Sequence, residues 1–416
     1  MGNERTLSCS FCNGFALHQI MDFGQVALAG GFLKPERSAE EKYYPLRLHF
    51  CQDCYAVQIV DVVNAEVLFH DYFYFSSSIR TLRDHFESYA SELTARFLKP
   101  STAKVLEFGC NDGVLLKPLA DQGIKTVIGV DPATNVVSTI QDPRIHVIND
   151  FFNEATAERV VAEFGPLDMV MANNVYAHIP DIQGTTQAIW NVLSDEGVFV
   201  FEVHYLGKVI NELQYDMIYH EHLYYYSLIS AIKHFERYGM TVFDVKPVPV
   251  HAGSMRFYVC KNGSQWSQQI SAEVTALINE ELKQGFHMPG TYERFASDVA
   301  SRKEALMALL AQLKRDGHRI AGYGASGRAN TMIQYCGIDH EHLDYMIDDA
   351  PAKNGFCTPG SHFEIFPSDV LKQEGAPHYL LLFAWSFRDE IVKRNPEYFA
   401  KGGKMIVPLP EVSVQA

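Results

Sequence analysis

The chain has no long hydrophobic run, no block of lysine or arginine and no cysteine framework spread along its length, and each absence removes a class of protein. No stretch among the 416 residues approaches the roughly 18 uncharged apolar residues of a membrane-spanning helix, so no membrane partner is expected. The opening MGNERTLSCS lacks the apolar middle of a signal peptide, which leads us to expect a cytoplasmic protein. With 35 basic against 50 acidic residues and a formal net charge of -15, a general nucleic-acid surface is excluded, because phosphate binding needs a net positive field. A local basic pocket remains compatible. Of the eight cysteines, four form two tight pairs and four are scattered, a pattern of metal ligands plus free thiols and not of disulfides. What is present is 47% hydrophobic residues, enough to build two or three cores.

The two pairs are Cys9 and Cys12 in CSFC and Cys51 and Cys54 in CQDC, separated by residues 13–50. Each pair puts two soft thiolates on one turn, and two such turns close a tetrahedron suited to structural Zn²⁺. A redox role is the alternative, but no βαβ pattern adjoins either pair. MDFGQVALAGGFL and YYPLRLHFC between them read as short strands and turns, in a domain small enough to need its metal.

After Pro100 the segment AKVLEFGCNDGVLLKPLADQG reads as a buried strand over 104–108, a turn with Gly109 and Gly113, and a helix. TVIGVD is the next strand and ends on Asp131, about 20 residues on, where a doubly wound sheet places its ribose-binding acid. HVINDFF offers Asn149, Asp150 and Phe151. LDMVMANNVYAHIPD supplies a fourth strand ending on Asn173 and Asn174, GVFVFEVHYL a fifth, and TVFDVKPVPVHAGSMRFYVCK a closing antiparallel hairpin. The turn EFGCNDG is not the dinucleotide G-x-G-x-x-G. It resembles motif I of class I S-adenosylmethionine-dependent methyltransferases, in which Glu107 matches the acid that ends the first strand, and Gly109, Asn111 and Gly113 form the turn over the cofactor. That resemblance implies Asn149, Asp150 and Phe151 near the adenine. A dehydrogenase of similar winding is the competing reading.

Ligands of open α/β sheets sit at the carboxyl ends of the strands, which places His178 at the mouth and the segment MIYHEHLYYYS above it. His220 and His222 are poorly spaced for a catalytic metal on a helix. Acid/base chemistry suits Tyr219, Glu221 and His222 better: an imidazole takes a proton near neutral pH, a carboxylate orients it and a phenol meets a developing oxyanion. The role of His220 is open, and Tyr224, Tyr225 and Tyr226 read as packing. HDYFYFSSSIRTLRDHF becomes an amphipathic helix with Leu82, Phe86 and Tyr89 at helical spacing, and can fold over the cleft as a lid carrying Tyr74, Ser76 and Ser77.

From about Ser267 to Asp316 the chain is charged and helical. RIAGYGASGRANTMIQY then repeats the strand, glycine turn and helix, with Gly322, Gly324 and Gly327 in G-x-G-x-x-G and Arg328 next in the chain, a combination suited to a diphosphate. LDYMIDD, YLLLFAWSF and KMIVPLP are its later strands.

In their order, CxxC…CxxC, Y-x-Y-x-S-S, EFGCNDG, NNVYAHIPD, YHEHLYYYS and GYGASGR resemble the nucleotide-sugar C-methyltransferases, of which the TDP-sugar 3-C-methyltransferases are the type. The resemblance implies an α/β protein with a zinc-binding domain (1–66), a class I methyltransferase Rossmann-like domain with its lid (67–262) and a helical linker with a second Rossmann-like domain for the nucleotide sugar (263–416). It implies S-adenosylmethionine and structural Zn²⁺ as cofactors and a nucleotide-diphosphate sugar as partner, in a monomer. A base removes the proton beside a 4-keto group, and the enolate carbon takes the methyl group. By motif, His222 resembles the base, Tyr219 and Glu221 its support, His178 a further site histidine, and Tyr74 and Ser77 the lid contacts, with Tyr72 as the alternative to Tyr74. Gly324 and Arg328 would face the diphosphate. An O- or N-methyltransferase, or a non-catalytic nucleotide-sugar binding module, are the rival readings.

Overall fold

A computed structural model describes residues 7–69 and 75–415. At the front, β1 (Leu17–Ala27), β2 (Tyr43–Cys51) and β3 (Val57–Ile59) form an antiparallel meander. The first two strands run longer than the glycines in their sequence suggest, because β1 absorbs its irregularities as two register shifts and keeps pairing.

The middle holds β4 (Lys104–Phe108), β5 (Thr126–Val130), β6 (Ile145–Ile148), β7 (Leu167–Asn173), β8 (Leu193–His204), β9 (Tyr224–Tyr225), β10 (Met240–Val248) and β11 (Ser254–Lys261). All but β9 make one sheet in the order β10-β11-β8-β7-β4-β5-β6, parallel from β8 to β6, with β11 antiparallel to both its neighbours. Helices cover both faces, so the central strands are buried throughout, as Val105 to Phe108 and Met169 to Asn173 are. The helix Arg80–Phe97 buries Leu82, Phe86, Tyr89 and Leu93 against this sheet.

β9 leaves that unit altogether. It pairs antiparallel with β3, Tyr225 opposite Val57 and Tyr224 opposite Gln58, and becomes the fourth strand of the front sheet.

The single charged helical stretch expected before the last unit is two helices, Ala272–Gln284 and Pro289–Arg315. Gly285 takes the left-handed conformation that ends the first, and Pro289 can only open a new helix. Beyond them β12 (Ile320–Tyr323), β13 (Met346–Ile347), β14 (Ile365–Phe366), β15 (Tyr379–Leu382), β16 (Lys404–Val407) and β17 (Ser413–Gln415) form a second open sheet, β14-β13-β12-β15-β16-β17, parallel except for β17. Front and back share one core: Phe23, Leu48 and Phe50 pack with Tyr292, Phe295 and Met332, and the Phe50 and Tyr292 rings lie 4.5 Å apart. No helix among the described residues is long and apolar enough to cross a membrane.

Candidate active site

Four cysteines from two turns come together at the front. Their sulfurs all lie within 4.8 Å of one another, with Cys9 and Cys54 at 3.5 Å and Cys12 and Cys51 at 3.6 Å. A tetrahedral zinc with bonds of about 2.3 Å needs sulfurs roughly 3.8 Å apart, so the quartet fits the ion and offers no fifth position to a substrate. Gln58 Nε2 donates to Cys9 Sγ at 3.0 Å and the Gly14 N–H to Cys12 Sγ at 3.4 Å, the outer-shell donors that thiolate ligands require.

At the carboxyl end of β4 the chain turns through Gly109 (φ +65°), Asn111 (φ +50°) and Gly113 (φ +76°). A Cβ on Gly109 would lie 2.6 Å from Val175 Cγ2, so glycine is needed for both conformation and space. Asp131 at the end of β5 fastens this turn: Oδ2 accepts from the Asn111 N–H and Oδ1 from the Ala133 N–H, each at 2.9 Å. Glu107 Oε1 accepts from Asn173 Nδ2 at 2.8 Å, while Glu107 Oε2 and Asn173 Oδ1 are buried with no hydrogen-bond partner. Burial pushes the Glu107 carboxyl up to about 8, and Asp131 and Asp112 add repulsion. Two orphaned acceptors at a strand end fit the donor-rich, cationic methionine end of S-adenosylmethionine.

The other residues assigned to the cofactor separate by role. Asn149 braces the turn after β5, donating to the Asp131 and Pro132 carbonyls at 2.9 and 3.0 Å. Asp150 faces Arg159 at 3.3 Å, and the Phe151 ring remains exposed, available as an apolar surface. Asn174 sits at φ +54° with its N–H on the Glu202 carbonyl, 2.7 Å away. Of the lid, the Ser76 N–H donates to Asn111 Oδ1 and the Ser77 N–H to Asp112 Oδ2, both at 3.0 Å, so the connector is latched to the cofactor turn. Tyr74 and its alternative Tyr72 lie outside the described residues.

The YHEHLYYYS segment is held over the same mouth by the Ala177 carbonyl, which accepts from the Leu223 and Tyr224 N–H groups at 2.9 and 3.2 Å. That register sets the His178 and His222 rings 5.0 Å apart. His222 Nδ1 lies 2.9 Å from the Met217 carbonyl, which can only accept, so Nδ1 carries the proton. In the neutral ring Nε2 then presents its lone pair and accepts from the Tyr219 hydroxyl, 2.9 Å away. Burial, with His222 alongside, holds His178 well below the usual histidine range. Glu221 turns from His222 toward Gly30, whose Cβ, if present, would lie 3.6 Å from Glu221 Oε1; burial alone pushes this carboxyl up to about 7. His220 points the other way, Nε2 on the Pro45 carbonyl at 3.1 Å, and joins the front sheet to the loop. Tyr224, Tyr225 and Tyr226 are buried, their hydroxyls donating to the Pro180, Met217 and Tyr176 carbonyls.

In the back unit, Gly324 (φ +96°) packs on Ala384 and Gly327 opens the helix Gly327–Cys336. The Arg328 guanidinium, expected at a diphosphate, is paired within the protein: buried Asp216 takes its Nε at 2.9 Å and lies 2.8 Å from Nη2. Asp216 and the Met217 carbonyl had no motif to mark them. Their importance lies only in what they touch.

Similarity to known proteins falls in three stretches, the last of which begins before β11 of the middle sheet. Residues 9–69 match a family described as a zinc binding domain, residues 82–245 one described as a methyltransferase domain, and residues 249–410 one described as a C-methyltransferase C-terminal domain. C-methyltransferase NovU of Streptomyces niveus is 30% identical over 407 residues, 98% of this chain and 96% of that protein. The mitochondrial ubiquinone biosynthesis O-methyltransferase of Bos taurus is 30% identical over 102 residues, 23% of this chain and 27% of its own. Among solved structures, magnesium protoporphyrin IX methyltransferase from Synechocystis with bound SAH covers 43% of this chain and 83% of its own at 14% identity, with a TM-score of 0.34.

Proposed function

Because the chain belongs to the C-methyltransferase family, as an S-adenosylmethionine-dependent enzyme with a zinc-binding front domain, we propose that it methylates C-3 of a 4-keto-deoxy nucleotide sugar through an enolate formed by His222. The observation that carries this reading is the Tyr219–His222 pair, an imidazole with Nδ1 on the Met217 carbonyl and Nε2 turned to a phenol, each at 2.9 Å. S-adenosylmethionine, beside Glu107, Gly109, Asn111, Gly113 and Asp131, supplies an electrophilic methyl group.

His222 Nε2 takes the proton from C-3 of the sugar, and the C–H electron pair moves toward the ketone oxygen. Tyr219 passes its hydroxyl hydrogen bond from Nε2 to that oxygen, which bares the base and meets the developing charge together. One such donor contributes about 2.7–4 kcal/mol where it has been removed from other oxyanion sites. The enolate carbon would then take the methyl group that bound S-adenosylmethionine would supply, with the thioether as leaving group. Glu221, near its midpoint at neutral pH by burial, faces Gly30 and takes no part in the proton transfer at His222. The lid serines, latched to Asn111 and Asp112, keep water from the carbanion. The nucleotide lies toward the β12/β15 strand ends, the switch point of the back sheet.

Incubation of the enzyme with cofactor and a TDP-4-keto-6-deoxy sugar in D₂O should exchange the C-3 hydrogen and place the methyl on carbon in a ¹³C spectrum. His222→Ala should lower exchange by about 10²–10⁴-fold. A methyl on oxygen or nitrogen, or undiminished exchange in the variant, would reject the reading.

A further inference from the structure

The segment that carries the acid/base pair does not rest on its own domain. Residues 215–219 lie along one face of the helix Gly327–Cys336, which pins them at four successive points. The Tyr215 hydroxyl meets Cys336 Sγ at 3.3 Å. Asp216 Oδ2 accepts from Arg328 Nε and from Trp385 Nε1, both at 2.9 Å, under a guanidinium 4.8 Å from the Trp385 ring. Thr331 Oγ1 donates to the Ile218 carbonyl at 2.9 Å. Gly327 backs the Tyr219 ring so closely that a Cβ there would stand 3.5 Å from Tyr219 Cζ and 3.2 Å from Ala29 Cβ.

Met217 sits between two of these pins, and its carbonyl is the group that fixes the His222 tautomer. The orientation of that peptide is therefore set by the Asp216 side chain before it and the Ile218 carbonyl after it, together with the Tyr225 hydroxyl, which donates to the Met217 carbonyl itself at 3.2 Å. Asp216 is wholly buried, and losing its partner would leave an uncompensated charge, which makes this pin stiff. Arg328 stands where a diphosphate ligand was expected, yet its Nε is hydrogen-bonded to Asp216, its Nη2 is buried 2.8 Å from the same carboxylate, and Nη1 lies 3.4 Å from Ser386 Oγ.

We propose that Asp216, Arg328, Trp385 and Thr331 are positioning residues that hold the Met217 carbonyl, and through it the Tyr219–His222 pair, in the hydrogen-bonded geometry. The helix of the back domain's glycine turn thus acts on proton abstraction through the loop, and Arg328 is not a ligand of the substrate's diphosphate. This rests on the reading of His222 as the base.

The test uses the full-length zinc-loaded chain with three mild variants: Thr331→Val and Trp385→Phe, which each remove one donor and keep the ion pair, and Arg328→Lys. With S-adenosylmethionine and the TDP-4-keto-6-deoxy sugar, each should lower kcat about ten- to a hundredfold while KM stays within about twofold, the scale of a misplaced reacting group. In the ligand-free variants, the ¹⁵N signals of His222, identified by their loss in His222→Ala, should move toward an imidazole without fixed hydrogen bonds. A tenfold rise in KM at unchanged kcat for Arg328→Lys would overturn the proposal in favour of a diphosphate contact. Unchanged His222 signals in all three variants would overturn it as well. If the wild-type chain exchanges no sugar hydrogen at all, the functional reading fails, while the ligand-free His222 signals still decide whether these residues position the loop.

Discussion

A carboxyl that water cannot reach keeps its proton, and Glu107 carries the consequence at the scale of one residue. Its ordinary value is 4.5 and its folded value about 8, so between those limits the folded chain binds a proton that the unfolded chain has released. Its contribution to stability is full below about pH 4.5 and is lost as the pH rises toward 8. In the cofactor-free protein, Glu107→Gln should melt higher than wild type at pH 8.5, by the equivalent of a few kcal/mol at most, and the gap should close by pH 5, measured as Tm in the two buffers. Cofactor binding to wild type near pH 7 should release protons, visible in calorimetry across buffers of different ionisation enthalpy. The place of Glu107 was legible because a strand ending in an acid before a glycine turn is a local pattern. Its orphaned Oε2 was not, since that depends on how β7 presents Asn173.

Among elements, the informative contacts are those that tie one unit to another. Arg256 on β11 is 2% exposed and holds Glu202 on β8 at 3.0 Å and Glu92 on the lid helix at 3.1 Å, with the Tyr89 ring 3.3 Å beneath it. His85 of the same helix reaches Glu202 at 3.0 Å. Arg256→Met leaves the wholly buried Glu202 carboxylate with His85 alone and should cost about 3 kcal/mol by urea unfolding, with the lid helix the first part to lose amide protection in hydrogen exchange. A loss below about 1 kcal/mol would show the lid to be held by its apolar face instead. The helix itself was legible from Leu82, Phe86 and Tyr89. The pairing of β9 with β3 was not, because two tyrosines carry no mark of which edge they will join. Through that pairing Gln58 reaches both the Cys9 sulfur and the strand facing the Tyr224–Tyr225 edge, so metal site and catalytic loop share a strand.

For the whole molecule the consequence is cooperativity across sequence-distant units. Phe23, Leu48 and Phe50 of the front sheet share one buried cluster with Tyr292, Phe295, Val299 and Met332 of the back unit. Asn330 Nδ2 donates to the Ala27 carbonyl at 2.9 Å across the same interface. Heating should therefore release zinc, read with a colorimetric chelator, in the same transition that unfolds the 27-residue helix Pro289–Arg315, read by circular dichroism. Zinc release about 10 °C earlier would mean that the front unit melts alone. Cys51→Ser should lose metal and the exchange activity of His222 together, since β3 holds the loop that carries it.

By itself the sequence determined three units, four thiol ligands, the glycine turn with its acids and the YHEHLYYYS cluster, because each of these is carried by residue type at short spacing. Only the tertiary structure decided what each of the two histidines meets and which side chain Arg328 pairs with. His220 and His222 differ in surroundings: one meets the Pro45 carbonyl and the other the Met217 carbonyl and Tyr219. Arg328 is drawn inward by an aspartate 112 positions earlier in the chain. A buried charge takes the partner that the packing brings to it, and local sequence has no means of naming that partner.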